Sequence, residues 1–297
     1  MTYTLRQLQV FSAVAAARSY TLAAERLHLT QPAVFAQVRQ LEAQIGQPLI
    51  VRVGRRMDLT EAGELVLQSA AAMLAEVSRL ESDLRALAGL GIGRLDLAVV
   101  STAKYILPAL IGPFCRDHPG IDIRLTVCNR ADLLDRLRAG RDDLCVLGAV
   151  PEDMPVDHVR LADNPIVIVA PPQHPLADRT GLTLSDLAGH ALVMREAGSG
   201  TRRAAEAAFE AAGVTPIVRH ELGANEAVKQ AVMAGLGVAV LARGAVQLEL
   251  DHGYLVELPV GGFPLARFWS LAWNRDRRRT RAAEALREHL MTAAASA

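Results

Sequence analysis

A chain of 297 residues, 51% of them apolar and 22% charged, exceeds one ordinary domain and has ample material for buried cores, so two or three globular domains are expected. A disulfide framework and a membrane span are both excluded. Cys115, Cys128 and Cys145 stand far apart without a Cys-x-x-Cys and read as reduced, mostly buried thiols, and the longest apolar run, Ala231 to Ala242, is glycine-broken and short of the roughly 20 residues that cross a bilayer. The formal charge of zero hides an asymmetry: residues 1–60 carry seven arginines against three carboxylates, and the remainder carries the opposite excess. A basic head on a mildly acidic body suits a nucleic-acid module joined to something else, although an ordinary solvated face has the same charge. The opening MTYTLRQLQVF has neither a basic start followed by an apolar stretch nor a small-residue cleavage site, which makes the cytoplasm the expected compartment, with no membrane partner.

From Leu5 to Ala17, Leu5, Leu8, Val10, Phe11, Val14 and Ala15 recur at three- and four-residue spacing, which predicts an amphipathic helix. Thr21 reads as the N-cap of a second helix, LAAERL, whose Ala23, Ala24 and Leu27 offer a close-packing face. Thr30 caps a third helix with Pro32 in its first turn, where the missing N–H costs nothing. The inward stripe is Val34, Val38, Leu41 and Ile45, leaving Gln31, Ala33, Phe35, Ala36, Gln37 and Arg39 for the other faces. Two helices joined by so short a turn cross steeply, which is the geometry of a helix entering the DNA major groove. After Gly46 and Pro48, LIVRVGRRMDLT reads as a two-stranded wing with a Gly-Arg-Arg tip, its arginines within reach of phosphates or the minor groove. The candidate DNA contacts are Thr30, Gln31, Pro32, Phe35, Gln37, Arg39, Arg52, Arg55 and Arg56. Phe35 is open to three readings: apolar contact with a thymine methyl, a dimer contact, or core packing.

Thr60 caps a long helix from Glu61 to about Ala88, roughly 42 Å at 1.5 Å per residue. Met73, Val77, Leu80, Leu84 and Leu87 form a heptad seam along it. Such a seam packs either on its own domain or on a second copy; with little local structure to cover it, a homodimer through this helix is expected. GLGIG at Gly89 to Gly93 follows a helix and precedes a strand, the reverse of a dinucleotide fingerprint, and reads as a hinge.

Beyond the hinge, strands and helices alternate in parallel α/β order. RLDLAVV, IDIRLTV and DLCVLG are strands with YILPALIGPFCRDH and RADLLDRLRAG as helices between them. A second series runs from about Asn164 through PIVIVA, ALVMRE, TRRAAEAAFEAAG, IVRHEL, NEAVKQAVMAG and VAVLA, and FWSLAWN with TRAAEALREHL returns to the first lobe. Ligands in such folds sit between lobes at the strand ends. The expected lining is Ser101, Thr102 and Lys104 after the first strand, Asn129 and Arg130 after the second, Arg195, Ser199, Gly200, Thr201 and Arg202 at a glycine-rich helix start, and Asn225 with Glu226 at another. Hydroxyls, cations and free backbone N–H groups at helix starts suit an anion, while plain helix capping accounts for each segment singly.

The stretch LAAERLHLTQPAVFAQVRQLEAQIGQPLIVRVGRRMDLTEAGELVL resembles the winged helix-turn-helix of the LysR-type transcriptional regulators, and the likeness extends over essentially the whole chain. It rests on Thr30 to Pro32, Leu41 to Glu42 and Leu59 to Gly63, and it breaks at Phe35 and Ala36, where the family commonly has a small hydroxyl residue followed by a longer polar one. The resemblance implies an α/β chain with an all-α winged helix-turn-helix head over 1–60, a long dimerisation linker helix over 61–89 and a hinge over 90–93. A two-lobed effector domain shaped like a periplasmic binding protein follows, its first lobe 94–163 with 267–297 and its second 164–266.

AVVSTAKY, NPIVIVAPPQHPL, REAGSGTR and NEAVKQAVMAGLGVAVL are similar to the family members that regulate the Calvin-cycle RuBisCO operon. That implies a small anionic effector (ribulose bisphosphate, phosphoenolpyruvate or NADPH) and no resident cofactor. Double-stranded operator DNA is the expected partner, bound and bent by homodimers paired into a homotetramer, with RNA polymerase as a further partner. Two alternatives stand beside it. One is a regulator of another pathway with a carboxylate effector. The other is an enzyme with a phosphorylated substrate, against which eight histidines without metal spacing and the lack of a Gly-x-Ser-x-Gly elbow both argue.

Overall fold

The computed structural model describes residues 3–53, 56–87 and 93–295, and the chain divides near residue 90 into two units. The first opens with α1 (Leu5–Ala17), started by a capping box in which the Thr4 hydroxyl accepts from the Gln7 N–H and the Gln7 side chain accepts from the Thr4 N–H. Arg18 takes a left-handed conformation (φ 47°) and turns the chain at once into α2 (Tyr20–Leu27). The N-cap of α2 is consequently Ser19, whose hydroxyl accepts from the Leu22 N–H at 3.3 Å, and the expected cap Thr21 lies inside the first turn. After a second left-handed residue, His28, Thr30 caps α3 (Gln31–Ile45) through the Ala33 N–H. Leu8, Phe11, Val14, Ala23, Ala24, Val34, Val38 and Leu41 close together as the core, each side chain of leucine size contributing about 2 kcal/mol by leaving water.

Strands β1 (Ile50–Val53) and β2 (Arg56–Leu59) pair antiparallel from Ile50 opposite Leu59 to Val53 opposite Arg56. The hairpin is locked to the head by three residues. Buried Glu42, near the end of α3, accepts the backbone N–H groups of Leu49 (2.8 Å) and Ile50 (3.2 Å) on one carboxylate oxygen. The Thr60 hydroxyl donates to the Pro48 carbonyl at 2.7 Å and accepts from the Gly63 N–H, so it caps the next helix, α4 (Glu61–Leu87), while pinning the start of the wing. Gly63 lies so close to the Leu49 carbonyl that a Cβ there would stand 2.1 Å from its oxygen. The first turns of α4 belong to this core, with Ala70 buried and Ala62, Val66 and Leu67 packed against it. Further along, Met73, Leu80 and Leu84 are exposed and Val77 is half-buried; the Leu87 side chain and the Gly89 to Ile92 part of the hinge lie outside the described residues.

The second unit has two sheets. The first is built from β3 (Gly93–Val100), β4 (Ile121–Cys128), β5 (Leu144–Leu147) and β6 (Val156–Asp163), with α5 (Leu107–Asp117) and α6 (Arg130–Arg138) between them. The second comprises β7 (Ile166–Ala170), β8 (Ala191–Arg195), β9 (Ile217–Leu222), β10 (Val238–Ala242) and β11 (Val256–Glu257), with α7 (Gly200–Ala211), α8 (Asn225–Met233) and α9 (Arg243–Asp251). The chain then returns through β12 (Phe268–Asn274) and α10 (Arg281–Ala295). Sheet orders are β4-β3-β5-β12-β6 and β11-β7-β10-β8-β9. β3 pairs parallel with β4 and β5, and β8 with β9 and β10.

The parallel order expected throughout fails at the strands where the chain changes sheet. β12 runs antiparallel to β5 and β6, and β7 antiparallel to β10 and β11. These strands arrive from the other lobe without a helical crossover, which is what imposes a parallel partner. β6 and α9 have no counterpart among the predicted elements, and the expected helix at Tyr105 begins as a 3₁₀ turn, Ala103–Tyr105, before α5. Fully buried β5, β7 and β10 form sheet centres, with Leu97, Val99, Val146, Leu271 and Leu286 in one core and Ile168, Met194, Phe209 and Val240 in the other. Cys145 is buried and Cys128 half-buried as expected, but Cys115 is exposed.

Substituting Gly63→Ala should cost the head about 1–3 kcal/mol, because the obstacle is backbone that cannot rotate away. Chemical denaturation of the variant against the parent measures it.

Candidate functional site

On the head, Thr30, Gln31, Pro32, Phe35, Arg39, Arg52 and Arg56 are exposed and Gln37 is half-buried; Arg55 lies outside the described residues. Phe35 is 45% exposed, so it does not fill the core. Its ring stands edge-on to Tyr20 with centroids 5.3 Å apart, and the Arg39 guanidinium lies 5.4 Å from the Phe35 centroid, one helical turn on. Arg39 also reaches the Glu42 carboxylate at 3.4 Å. The phenol of Tyr20 is pushed up by burial and then by Glu42, with Arg39 and Arg52 opposing, so it remains a hydroxyl donor. Tyr20, Phe35 and Arg39 together form a small aromatic platform with cationic flanks. Tyr20 escapes sequence reasoning because a cap at Thr21 leaves it outside the helix instead of at its first position.

In the second unit a cleft of about 520 Å³ lies between the lobes. Of the expected residues it gathers Ser101, Thr102, Arg130, Ser199, Gly200 and Thr201. It adds Asn164, Arg203, Arg267 and Trp269, which sequence reasoning missed. Arg203 is the last residue of the glycine-rich stretch, one past the positions expected to line the site, and Asn164, Arg267 and Trp269 are at the points where the chain changes lobe. The Trp269 indole N–H donates to the Thr102 hydroxyl at 3.2 Å and fixes its orientation. Arg130 donates to the Ala149 carbonyl at 2.8 Å. Its guanidinium is shifted down by burial and next by the charges of Arg203 and Arg138. Among the described residues no carboxylate lies within ion-pair distance of Arg130, Arg203 or Arg267. Ser199 precedes α7 without a side-chain capping bond, which leaves the first N–H groups of that helix for a ligand.

The other six expected residues are placed elsewhere. Asn129 caps the start of α6, accepting from the Asp132 N–H at 2.9 Å. Arg202 is occupied by Glu206 and Glu221. Arg195, only 2% exposed, donates to both oxygens of Glu196, to the side-chain carbonyl oxygen of Asn225 and, at 3.2 Å, to the Ser101 hydroxyl. Asn225 in turn donates to the Ser101 carbonyl, so Arg195 and Asn225 tie the lobes together behind the cleft. Lys104 is bound to Glu226 at 2.9 Å, and the Tyr105 hydroxyl donates to the same carboxylate at 2.5 Å. Partial burial pushes the Glu226 carboxyl up, but the Tyr105 and Lys104 bonds outweigh it and hold it at about 2. The Tyr105 phenol is correspondingly raised, by burial first and by Glu226 second.

Residues 5–64 match the model of the bacterial regulatory helix-turn-helix protein, lysR family, and residues 88–295 match the LysR substrate binding domain. The RuBisCO operon transcriptional regulator of Allochromatium vinosum is 45% identical over 297 residues, covering 99% of this chain and 98% of its own length. The transcriptional regulator CbbR of Rhodospirillum rubrum is 41% identical over 290 residues, covering 98% of this chain and 96% of its own. The regulatory domain of Synechocystis PCC6803 CcmR, solved in complex with 2-PG, superposes with a TM-score of 0.65 at 36% identity, over 68% of this chain and 97% of its own. Full-length CbnR complexed with its target DNA shares the fold, with a TM-score of 0.72 at 24% identity over 98% of this chain and 100% of its own.

Two outcomes are expected. Arg52→Ala and Arg56→Ala should each lower the slope of log affinity for DNA against log salt by about one while leaving sequence preference unchanged, as a gel-shift salt series measures. Glu226→Gln should lower the thermal unfolding midpoint at neutral pH. A depressed carboxyl contributes stability above its unfolded value and loses it as pH falls, so the gap to the parent should close between about 4.5 and about 2.

Proposed function

Since the chain belongs to the LysR family of transcriptional regulators, we propose that it controls a RuBisCO operon in response to a small phosphorylated metabolite held between the lobes of its second unit. The observation that carries the effector class is the set of three cleft guanidiniums, Arg130, Arg203 and Arg267, none within ion-pair distance of a carboxylate among the described residues, in a lining whose acidic residue is Glu152. Arginine forks match phosphate geometry, and the hydroxyls of Ser101, Thr102, Ser199 and Thr201 complete a polar shell around the uncapped start of α7. The candidates are ribulose bisphosphate, phosphoenolpyruvate, NADPH and the 2-PG held by the Synechocystis relative. The operon assignment draws on the 45% and 41% identity, over nearly full length, to regulators of that name and kind.

In this reading α3 enters the major groove, the wing arginines hold phosphates, and the exposed Met73, Leu80 and Leu84 of α4 pair with a second copy. Two dimers join on adjacent operator segments. The effector prefers one arrangement of the lobes, and only that difference in affinity shifts the bend in the DNA. The chain is a regulator and not an enzyme, as its relatives are.

Footprinting upstream of a RuBisCO operon at fixed salt, with and without each candidate, tests the proposal. The expected result is a footprint that shortens or a bend that relaxes with one phosphorylated metabolite. Arg203→Ala with Arg267→Ala should abolish that response, weakening the effector by roughly ten- to a hundredfold per lost charged contact, while basal operator binding stays at the parental level. Binding confined to another promoter would overturn the operon assignment, and a response to carboxylates alone would overturn the phosphate.

A further inference from the structure

A second cavity, of about 480 Å³, opens beside the cleft between α6 and the first turns of α7. The two cavities share Arg130, Ser199 and Arg203. Beyond these the second is bounded by Arg138 and Asp135 of α6 and by Arg202 and Glu206 of α7. Where the helix starts meet, the Ala131 N–H donates to the Gly198 carbonyl at 3.3 Å, so this rim moves with the lobes.

The charges here run against what bare helix ends favour. The positive end of a helix dipole suits carboxylates. Yet α7 has no acidic residue in its first turn and carries Arg202 and Arg203 there, while α6 begins on Arg130, with Asp132 two residues on as the acidic residue of its first turn. Arg202 is neutralised by Glu206 and Glu221. Among the described residues Arg138 pairs with Asp135 alone, at 3.0 Å, with the two side chains 52% and 69% exposed. Such a surface pair is worth little and yields readily to a stronger anion. Arg130 and Arg203 have no acidic partner among the described residues, and their mutual repulsion is already felt at Arg130. Asp135 offsets Arg138 alone, so a bound anion would relieve the repulsion that Arg130 feels from Arg203 and Arg138.

We propose that this second cavity is a phosphoryl-binding subsite contiguous with the cleft, walled on its outer side by Arg138 and sharing Arg130 and Arg203 with the effector site. The inference rests on the reading of the cleft as that site. The group it takes is a phosphoryl dianion, supplied either by the far end of an effector that carries two or by a separate phosphate ion.

Calorimetric titration of the full-length protein with ribulose 1,5-bisphosphate, ribulose 5-phosphate and inorganic phosphate tests it, in the parent and in Arg138→Ala. The expected result is a loss of about tenfold in bisphosphate affinity with the monophosphate unaffected. Glu206→Gln, which leaves Arg202 less neutralised, should tighten the bisphosphate instead. If the phosphoryl source is a separate ion, inorganic phosphate binds the monophosphate-loaded parent and fails to bind loaded Arg138→Ala, which also upholds the subsite. Unchanged affinities for all three probes in both variants, with unfolding midpoints as in the parent, would overturn it. A parent that binds neither sugar phosphate would instead overturn the effector reading, so the two failures are distinct.

Discussion

The second unit is organised around a buried charge. Arg195 ends β8 with its guanidinium out of water, and a cation in that position is tolerable only with its hydrogen bonds met. Glu196 supplies the counter-charge within the same lobe. Two further donors are met by Asn225 at the head of α8 and by Ser101, which follows β3 in the other lobe. Satisfying one residue therefore sets the position of one helix and two sheets relative to each other. The Lys104–Glu226–Tyr105 cluster adds a second tie between the same segments. Ser101 belongs both to this tie and to the cleft wall, which couples lobe geometry to whatever the cleft holds.

The cleft itself has the opposite electrostatic character. Behind it Arg195 and Lys104 each have a carboxylate partner; within it three guanidiniums lack one among the described residues. A ligand that brings negative charge removes repulsion between groups on both lobes, Arg203 on one and Arg130 and Arg267 beside the other. That is the differential interaction a switch requires, since a ligand bound equally by two arrangements shifts neither. In the proposed switch, the tie behind the cleft would serve as the pivot and the unpaired guanidiniums in front would gain from an anion.

Much of this was legible in the chain. Thr30, Pro32 and the three- and four-residue spacing of Val34, Val38 and Leu41 led directly to α3, because local capping and burial there agree. Leu59 to Gly63 was recognised as a pattern, but its cause, a helix packed onto the Leu49 carbonyl and a threonine serving strand and helix at once, is a contact between segments and leaves no periodicity. Glycine-rich REAGSGTRR suggests an anion site; of its residues Ser199, Gly200, Thr201 and the final Arg203 line the cleft, while Arg195 and Arg202 are paired with carboxylates. Whether an arginine has a carboxylate beside it depends on neighbours such as Glu196 and Glu221, and only the fold decides which of those lie within reach. Strand direction was lost for a similar reason, since β7 and β12 have ordinary apolar patterns and owe their antiparallel pairing to the lobe they come from.

The position of β12 has a consequence for how the protein is made. In its sheet β12 lies between β5 and β6, yet more than a hundred residues of the second lobe are synthesised between β6 and β12. The second lobe can close as soon as it leaves the ribosome, because its strands lie in one continuous stretch. The first lobe cannot. Until β12 and α10 emerge, β5 and β6 have open edges and the core face that Leu286 and Leu290 of α10 cover lies open. The older half of the domain is thus the last to become stable. A nascent chain stalled or truncated after β11 would present a finished lobe joined to an unfinished one whose exposed strands are the first candidates for chaperone capture or aggregation.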